Sequence, residues 1–396
     1  MKKKLMILIP LLTLFVLLLV FAATLGLYFR NGYTYSAFEA RSLAQTPTLS
    51  GSALMDGSYL QGWESFLSDQ LAGRNYLLKW YNLLQIKVFG KNTVNDLVIS
   101  EQGAILPRQE VVQTSDPAEQ VQAIIDNHLA LQNIVESYGG QLLYVGLPGQ
   151  GSILREFYPT HTFANKENLA LLHERFFTGG AQAGISMLDL LPVYEATEDD
   201  THLYYRTDHH YTLEGAFIAY AAICDQLEQM NIPLSRTKAD DYNWSELPNP
   251  FVGSRGRQLF GILDYGEKLQ IAQLKTPIAF TRQDNGEPVD ASVYALPEND
   301  TISVDYNMYM GGDKAETIIN TDRPDLPNCL LIGDSYTNAL EAFLYTGFNE
   351  TRSLDLRHYD DMSLQNYICQ YQPDVVIILR DDGQFLNSDG NGNVNE

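Results

Sequence analysis

From residue 116 to residue 380 the chain alternates amphipathic stretches with short apolar runs, and this alternation limits the fold more than any other feature. "DPAEQVQAIIDNHLALQNIVESYGG" has apolar residues at helical spacing, acidic residues early and a Gly stop. "QLLYVGLPG" then reads as a buried strand, "NKENLALLHERFFTGGAQAG" as a helix, "ISMLDLLPVY" as a strand and "TLEGAFIAYAAICDQLEQM" as a helix. The pattern breaks over 245–325, where Gly, Pro and Asp surround β-like runs such as "KLQIAQL", "PIAFTR" and "DYNMYMGG"; an inserted β-rich segment is expected there. It resumes with strands at "NCLLIGDS", "TRSLDLR" and "PDVVIILR", separated by helices at "YTNALEAFLYTG" and "SLQNYICQYQ". Strands spaced by helices argue for an α/β fold with a parallel sheet covered on both faces.

The N-terminus follows different rules. Three lysines, Lys2 to Lys4, precede 25 residues without charge, and Arg30 closes the run. A helix crossing a bilayer needs about 20 apolar residues, longer than the roughly 7–15 of a cleavable signal. Residues 1–30 are therefore expected to be a cytoplasmic start and transmembrane anchor, with a cleaved signal as the alternative at "FAATLG". The basic cluster puts the N-terminus inside and the rest of the chain outside the cell membrane. Residues 31–60, polar and broken by Pro and Gly, read as a spacer. "WESFLSDQLAGRNYLLKWYNLLQIKVFG" reads as a helix that opens a domain over 61–386, and "NSDGNGNVNE" (387–396) as a disordered tail.

With 49 acidic against 26 basic residues the net charge is −23, which argues against a nucleic-acid partner, since such binding rests on Lys and Arg at phosphates. Three cysteines in apolar stretches, Cys224, Cys329 and Cys369, read as buried thiols rather than a disulfide framework.

Two stretches could carry chemistry. In "LLIGDSYTN" an apolar strand ends at Gly333, Asp334 and Ser335 before a helix, at the edge where α/β sheets place their sites. Helix N-terminal N–H groups there can stabilise an oxyanion beside the serine. The alternative is that Asp334 and Ser335 only cap the helix. In "RTDHHYT" the Asp208 carboxylate stands two residues from His210, on the same side of an extended segment. A serine hydroxyl becomes a nucleophile when an oriented base takes its proton. Asp208 can hold one ring nitrogen of His210 and leave the other facing Ser335, while His209 points to the opposite side. Metal binding by Asp208 and its histidines is the other reading, but no matching cluster stands elsewhere. No metal and no cofactor are expected.

These stretches, with "FEARSLAQTP", "WESFLSDQLAGR", "MYMGGDKAETI", "LDLRHYD" and "PDVVIIL", resemble the DHHW protein family. More distantly the chain resembles the alginate O-acetyltransferase-like (AlgJ/AlgX) domains of the SGNH-hydrolase-like superfamily. The resemblance implies a three-layer SGNH-like sandwich with Ser335 as nucleophile, completed by His210 and Asp208. The serine follows the histidine in the chain, as in the acetyltransferase-like branch. Tyr211 stands where the family's name has tryptophan, and Gln150 where relatives often carry lysine. Oxyanion or substrate contacts are expected among Gly149, Gln150, Tyr211, Tyr336, the Ser335 N–H and Arg357, with a surface salt bridge as the alternative for Arg357. The implied function is bacterial O-acetyl transfer to a cell-surface or secreted polysaccharide, with acetyl supplied by a multispanning membrane-bound O-acyltransferase. The alternatives are a carbohydrate acetylesterase, a non-catalytic envelope protein that binds glycan or a partner, and a purely structural turn.

Overall fold

The computed structural model describes residues 10–21, 34–36, 38, 41–71, 73–108, 118–159 and 166–394. The chain divides into two compact units, one of residues 1–95 with 254–264 and the other of 96–253 with 265–396. The division falls at residue 95 rather than at 61, and part of the expected β-rich insertion lies in the first unit.

In the first unit, α1 (Ser58–Gln70) and α2 (Arg74–Leu83) replace the single expected helix, and a short π-helical stretch, Leu84–Val88, continues α2. The break comes at Gly73, whose φ of 74° lies in the left-handed region open to glycine. The expected spacer is partly packed. Arg41 makes a two-pronged ion pair to Asp69 of α1, at 2.6 and 2.8 Å, and Ala44 N–H donates to the same carboxylate at 2.9 Å. These partners hold the Asp69 carboxyl down at about 2. Of the expected anchor, residues 10–21 are helical and exposed, while 1–9 and 22–30 lie outside the described residues. Among the described residues no helix is long and apolar enough to cross a membrane.

The second unit is built on one sheet. Its strands are β1 (Gln141–Leu147), β2 (Ser186–Asp189), β3 (Thr281–Asp284), β4 (Glu287–Val289), β5 (Glu316–Asn320), β6 (Cys329–Ile332), β7 (Glu350–Leu354) and β8 (Val375–Asp381). Their order is β4-β3-β5-β7-β6-β8-β1-β2. From β7 to β2 neighbours run parallel, as expected; β5, β3 and β4 add an antiparallel edge, so the sheet is mixed. That edge comes from the expected insertion, which extends the main sheet instead of standing apart. "KLQIAQL" supplies a strand, 270–274, that pairs with 242–246. "DYNMYMGG" forms a 3-10 turn, Tyr306–Met308, because the Asp305 side chain accepts from Asn307 N–H at 3.0 Å and caps it.

Five helices cover the two faces: α3 (Ala118–Ser137), α4 (Lys166–Gln182), α5 (Leu213–Gln229), α6 (Tyr336–Leu344) and α7 (Leu364–Tyr371). Alternate strand residues face opposite ways. Leu142, Tyr144, Leu330, Ile332, Val376 and Ile378 pack against α3, α4 and α7. Leu143, Val145, Leu331, Ile377 and Leu379 pack against α5 and α6. The result is the three-layer sandwich expected from the alternation. Cys224 and Cys329 are buried, but Cys369 is exposed. It sits one residue past the inward Tyr367 and Ile368 of α7, about 100° round the helix from Ile368. The tail is not loose over its described part. Asn391 accepts from Leu356 N–H at 2.6 Å and donates to Asp355 at 3.0 Å, and Val394 is fully buried.

Candidate active site

Because β1, β6, β7 and β8 run parallel, the turns after them meet at one sheet edge. The turn after β6 carries Ser335 into the start of α6. Gly333 is required there, since a Cβ would come within 2.4 Å of Thr337 Cγ2. Asp334 accepts from Tyr336 N–H at 3.1 Å, and the Ser335 side chain makes no capping bond. Capping therefore falls to Asp334, and the serine hydroxyl is left for another partner.

That partner is His210. Its Nε2 lies 2.7 Å from Ser335 Oγ, and its Nδ1 lies 2.6 Å from Asp208 Oδ1. Asp208 also accepts from His210 N–H at 3.1 Å, which fixes the carboxylate against both backbone and ring. Asp208 is 1 % and His210 5 % exposed. The three residues form one hydrogen-bonded row, 125 positions apart in sequence between imidazole and hydroxyl. In such a row the carboxylate fixes the tautomer, and the free ring nitrogen can take a proton from the hydroxyl.

His209 does not point away as expected. Its ring lies 3.7 Å from that of His210, and its Nδ1 is 3.5 Å from Asp208. Asp208, His209 and His210 bring ligand atoms within 4.8 Å of one another, but both His210 nitrogens are already bonded to Asp208 and Ser335.

The expected contact residues mostly hold the loop rather than line an open surface. Gln150 is buried, and its amide donates to the carbonyls of Tyr205 at 2.5 Å and Asp208 at 2.8 Å. Gly149 lies against the Asp382 carboxylate, where a Cβ would come within 2.7 Å of Asp382 Oδ1. Tyr211 is fully buried, its hydroxyl donating to the Tyr336 carbonyl. The Tyr336 hydroxyl donates in turn to the His209 carbonyl at 2.7 Å, so two tyrosines lace the 206–212 loop to α6. Arg357 pairs with Asp355 and, at 2.9 Å, with Asp313; the Asp355 bond pushes its guanidinium above the usual range. The salt-bridge alternative is the one its geometry fits. Asn338, one turn after Ser335, donates to Asp313 at 2.8 Å.

Three residues that the motifs did not reveal complete the setting. Tyr306 stacks on the His210 ring, with centroids 3.8 Å apart and planes 6° apart, and its buried hydroxyl has no partner among the described residues. Glu267 accepts from Arg206 N–H, Thr207 N–H and Thr207 Oγ1 at 2.5, 2.9 and 2.7 Å. Gly253 lets the loop backbone pass, since a Cβ there would stand 2.3 Å from the Thr207 carbonyl oxygen. Acid gathers at the same edge: burial, then Asp334 and Asp382, pushes the Asp381 carboxyl up to about 7.

Comparison with known proteins bears on the fold. Residues 97–286, which include Asp208 and His210 but not Ser335, match the family "SGNH hydrolase-like domain, acetyltransferase AlgX". A probable alginate O-acetylase AlgJ of Pseudomonas syringae is 24 % identical over 192 residues, 46 % of each chain, so the match spans less than half of that relative. Bacillus cereus PatB1 superposes with a TM-score of 0.62 at 22 % identity, covering 73 % of this chain and 96 % of PatB1. A DHHW family protein from Eubacterium siraeum superposes at 0.54 with 17 % identity, covering 74 % and 91 %. The chain thus has an SGNH-like α/β fold and resembles both the DHHW proteins and the AlgX- and AlgJ-type acetyltransferase domains.

Proposed function

We propose that this protein is a serine O-acetyltransferase that modifies hydroxyl groups of a cell-surface or secreted polysaccharide through an acyl-enzyme. The carrying observation is the row Ser335–His210–Asp208. His210 takes the Ser335 proton as Oγ bonds to the acetyl carbonyl carbon of the donor. The tetrahedral intermediate collapses when His210 gives that proton to the departing donor group. A sugar hydroxyl then loses its proton to His210 and attacks the acetyl carbon, and Ser335 leaves reprotonated. Asp208 holds the ring in one tautomer and balances the imidazolium. The Ser335 N–H at the start of α6 is a suitable donor to the oxyanion, since a helix N-terminus favours negative charge.

Transfer is favoured over hydrolysis by the AlgX-family match and by the AlgJ relative named as an O-acetylase. The uncharged run after Lys4 supports a membrane anchor with the site outside. Acetyl would then have to cross the membrane, which suits a multispanning O-acyltransferase as partner. Purified protein with an aryl acetate and an oligosaccharide acceptor tests the chemistry. Ser335→Ala is expected to lose about 10⁴-fold or more, and a fluorophosphonate is expected to label Ser335 of the wild type. Equal turnover by both proteins would remove Ser335 from the reaction, and an unlabelled but glycan-binding protein would favour the non-catalytic alternative.

A further inference from the structure

The first unit carries an apolar face that its described residues do not cover. Along α2 and its π-helical continuation, Tyr76, Leu77, Trp80, Tyr81, Leu84 and Val88 are all exposed. They recur at i, i+1, i+4, i+5, i+8 and i+12, the spacing of one helix face. An ordinary amphipathic helix turns such a face inward, but here polar Asn82 is buried while Tyr76, Trp80 and Val88 are 74 %, 62 % and 65 % exposed. The charges beside the face run against those of the chain. Lys79, Lys87 and Lys91 are exposed along residues 74–91, which hold no acidic residue, in a protein of net charge −23, while Arg74 is turned towards Asp69 at 3.8 Å.

We infer that this face docks on the surface of an anionic lipid bilayer. Tyr and Trp favour the interface, where a ring can be buried while its polar atom stays wet. Lysines at the border keep their stems on apolar surface and reach headgroup phosphates. The 15 residues from 74 to 88 make a rod of about 22 Å, which lies in the headgroup plane with its apolar face sunk about 5–10 Å. A protein partner of the same helix would satisfy the apolar residues equally well. The basic bias with no acid selects the lipid surface. This inference goes beyond the Ser335 chemistry and does not use it, so its failure leaves that chemistry standing.

The test uses the full chain in vesicles of phosphatidylcholine with or without phosphatidylglycerol, and reads tryptophan quenching. The apolar N-terminal run contains no tryptophan, so insertion of that run alone gives no signal. The component missing from Trp80→Phe is assigned to Trp80. It is expected to be quenched by lipids brominated high in the acyl chain and shielded from iodide on anionic vesicles. Lys79→Gln with Lys87→Gln is expected to weaken docking about 25-fold, near fivefold per lysine, with the protein still bound to vesicles. Trp80 reached by iodide as freely on anionic vesicles as in buffer would overturn the inference. Equal shielding on phosphatidylcholine alone would overturn the anionic assignment, and shielding found only in native membranes would transfer the face to a protein partner.

Discussion

Two short segments meet at the sheet edge, and they are held there in opposite ways. The 333–335 turn depends on its own neighbourhood: β6 delivers it, Gly333 gives the close turn, and Asp334 caps the helix that follows. The 206–210 loop has no regular structure of its own, so its polar backbone must find partners elsewhere. It finds them in Gln150, 58 residues before Asp208, in Glu267, about 60 after Thr207, and in Tyr336, 127 after His209. The hydroxyl end of the site is therefore local, and the imidazole end is a joint product of distant parts of the chain.

Glycine replacements give the largest expected break in this comparison. In Gly253→Ala the new Cβ meets backbone, at 2.3 Å from the Thr207 oxygen and 2.7 Å from Asp208 N, so no rotamer relieves it. Turnover of an acetyl ester should fall about 100-fold, the scale of a 1 Å misplacement. In Gly333→Ala the clash is with a methyl, Thr337 Cγ2 at 2.4 Å. A comparable loss is expected, but Thr337→Ser in the same chain should restore most of it, because serine keeps the hydroxyl and lacks the methyl. A double variant no better than the single would sink the local account.

Smaller effects sharpen the picture of the loop. Glu267→Leu orphans three donors, and at about 1–3 kcal/mol per orphaned group should destabilise by about 3 kcal/mol in urea titrations. Tyr306→Ala removes the ring that supports His210 and should cost about tenfold in turnover. Tyr306→Phe should stay within about twofold, since the hydroxyl has no partner to lose.

The smallest effect is one of pH. Burial pushes the Glu341 carboxyl from 4.5 up to about 7, where it lies against Thr337 Oγ1 at 3.2 Å. A raised pKa means that the folded chain keeps a proton that the unfolded chain has already lost. The stability contributed below pH 4.5 is therefore lost as pH rises towards 7. Glu341→Gln should flatten the fall in denaturation midpoint between about pH 5 and 8. An unchanged slope would mean that Glu341 is already ionised in the fold.

The same contrast explains what could be read in advance. β6, Ser335 and α6 follow one another between Cys329 and Leu344 in one regular pattern, and "DHH" joins carboxylate and imidazole within three positions. Such short-range patterns made the parallel strands, the helices and the row Asp208–His210–Ser335 legible. Glu267, Gly253 and Tyr306 lie in the irregular 245–325 stretch, where no period ties a residue to its partner. Gln150 was legible as a residue near the site but not as a clamp on carbonyls. The antiparallel edge was missed because strands of three to five residues among turns give no clear alternation.

The tie from Asn391 to Asp355 and Leu356 bears on how the protein is handled. A recombinant version trimmed after Leu386, a natural choice for a glycine- and asparagine-rich ending, would strip the amide from Asp355 and uncover the pocket that Val394 fills. Asp355 is also the carboxylate that grips Arg357 beside Asp313. Losing this ending should therefore loosen the Arg357–Asp355–Asp313 group while the sandwich stays intact, and affinity handles belong at the other terminus.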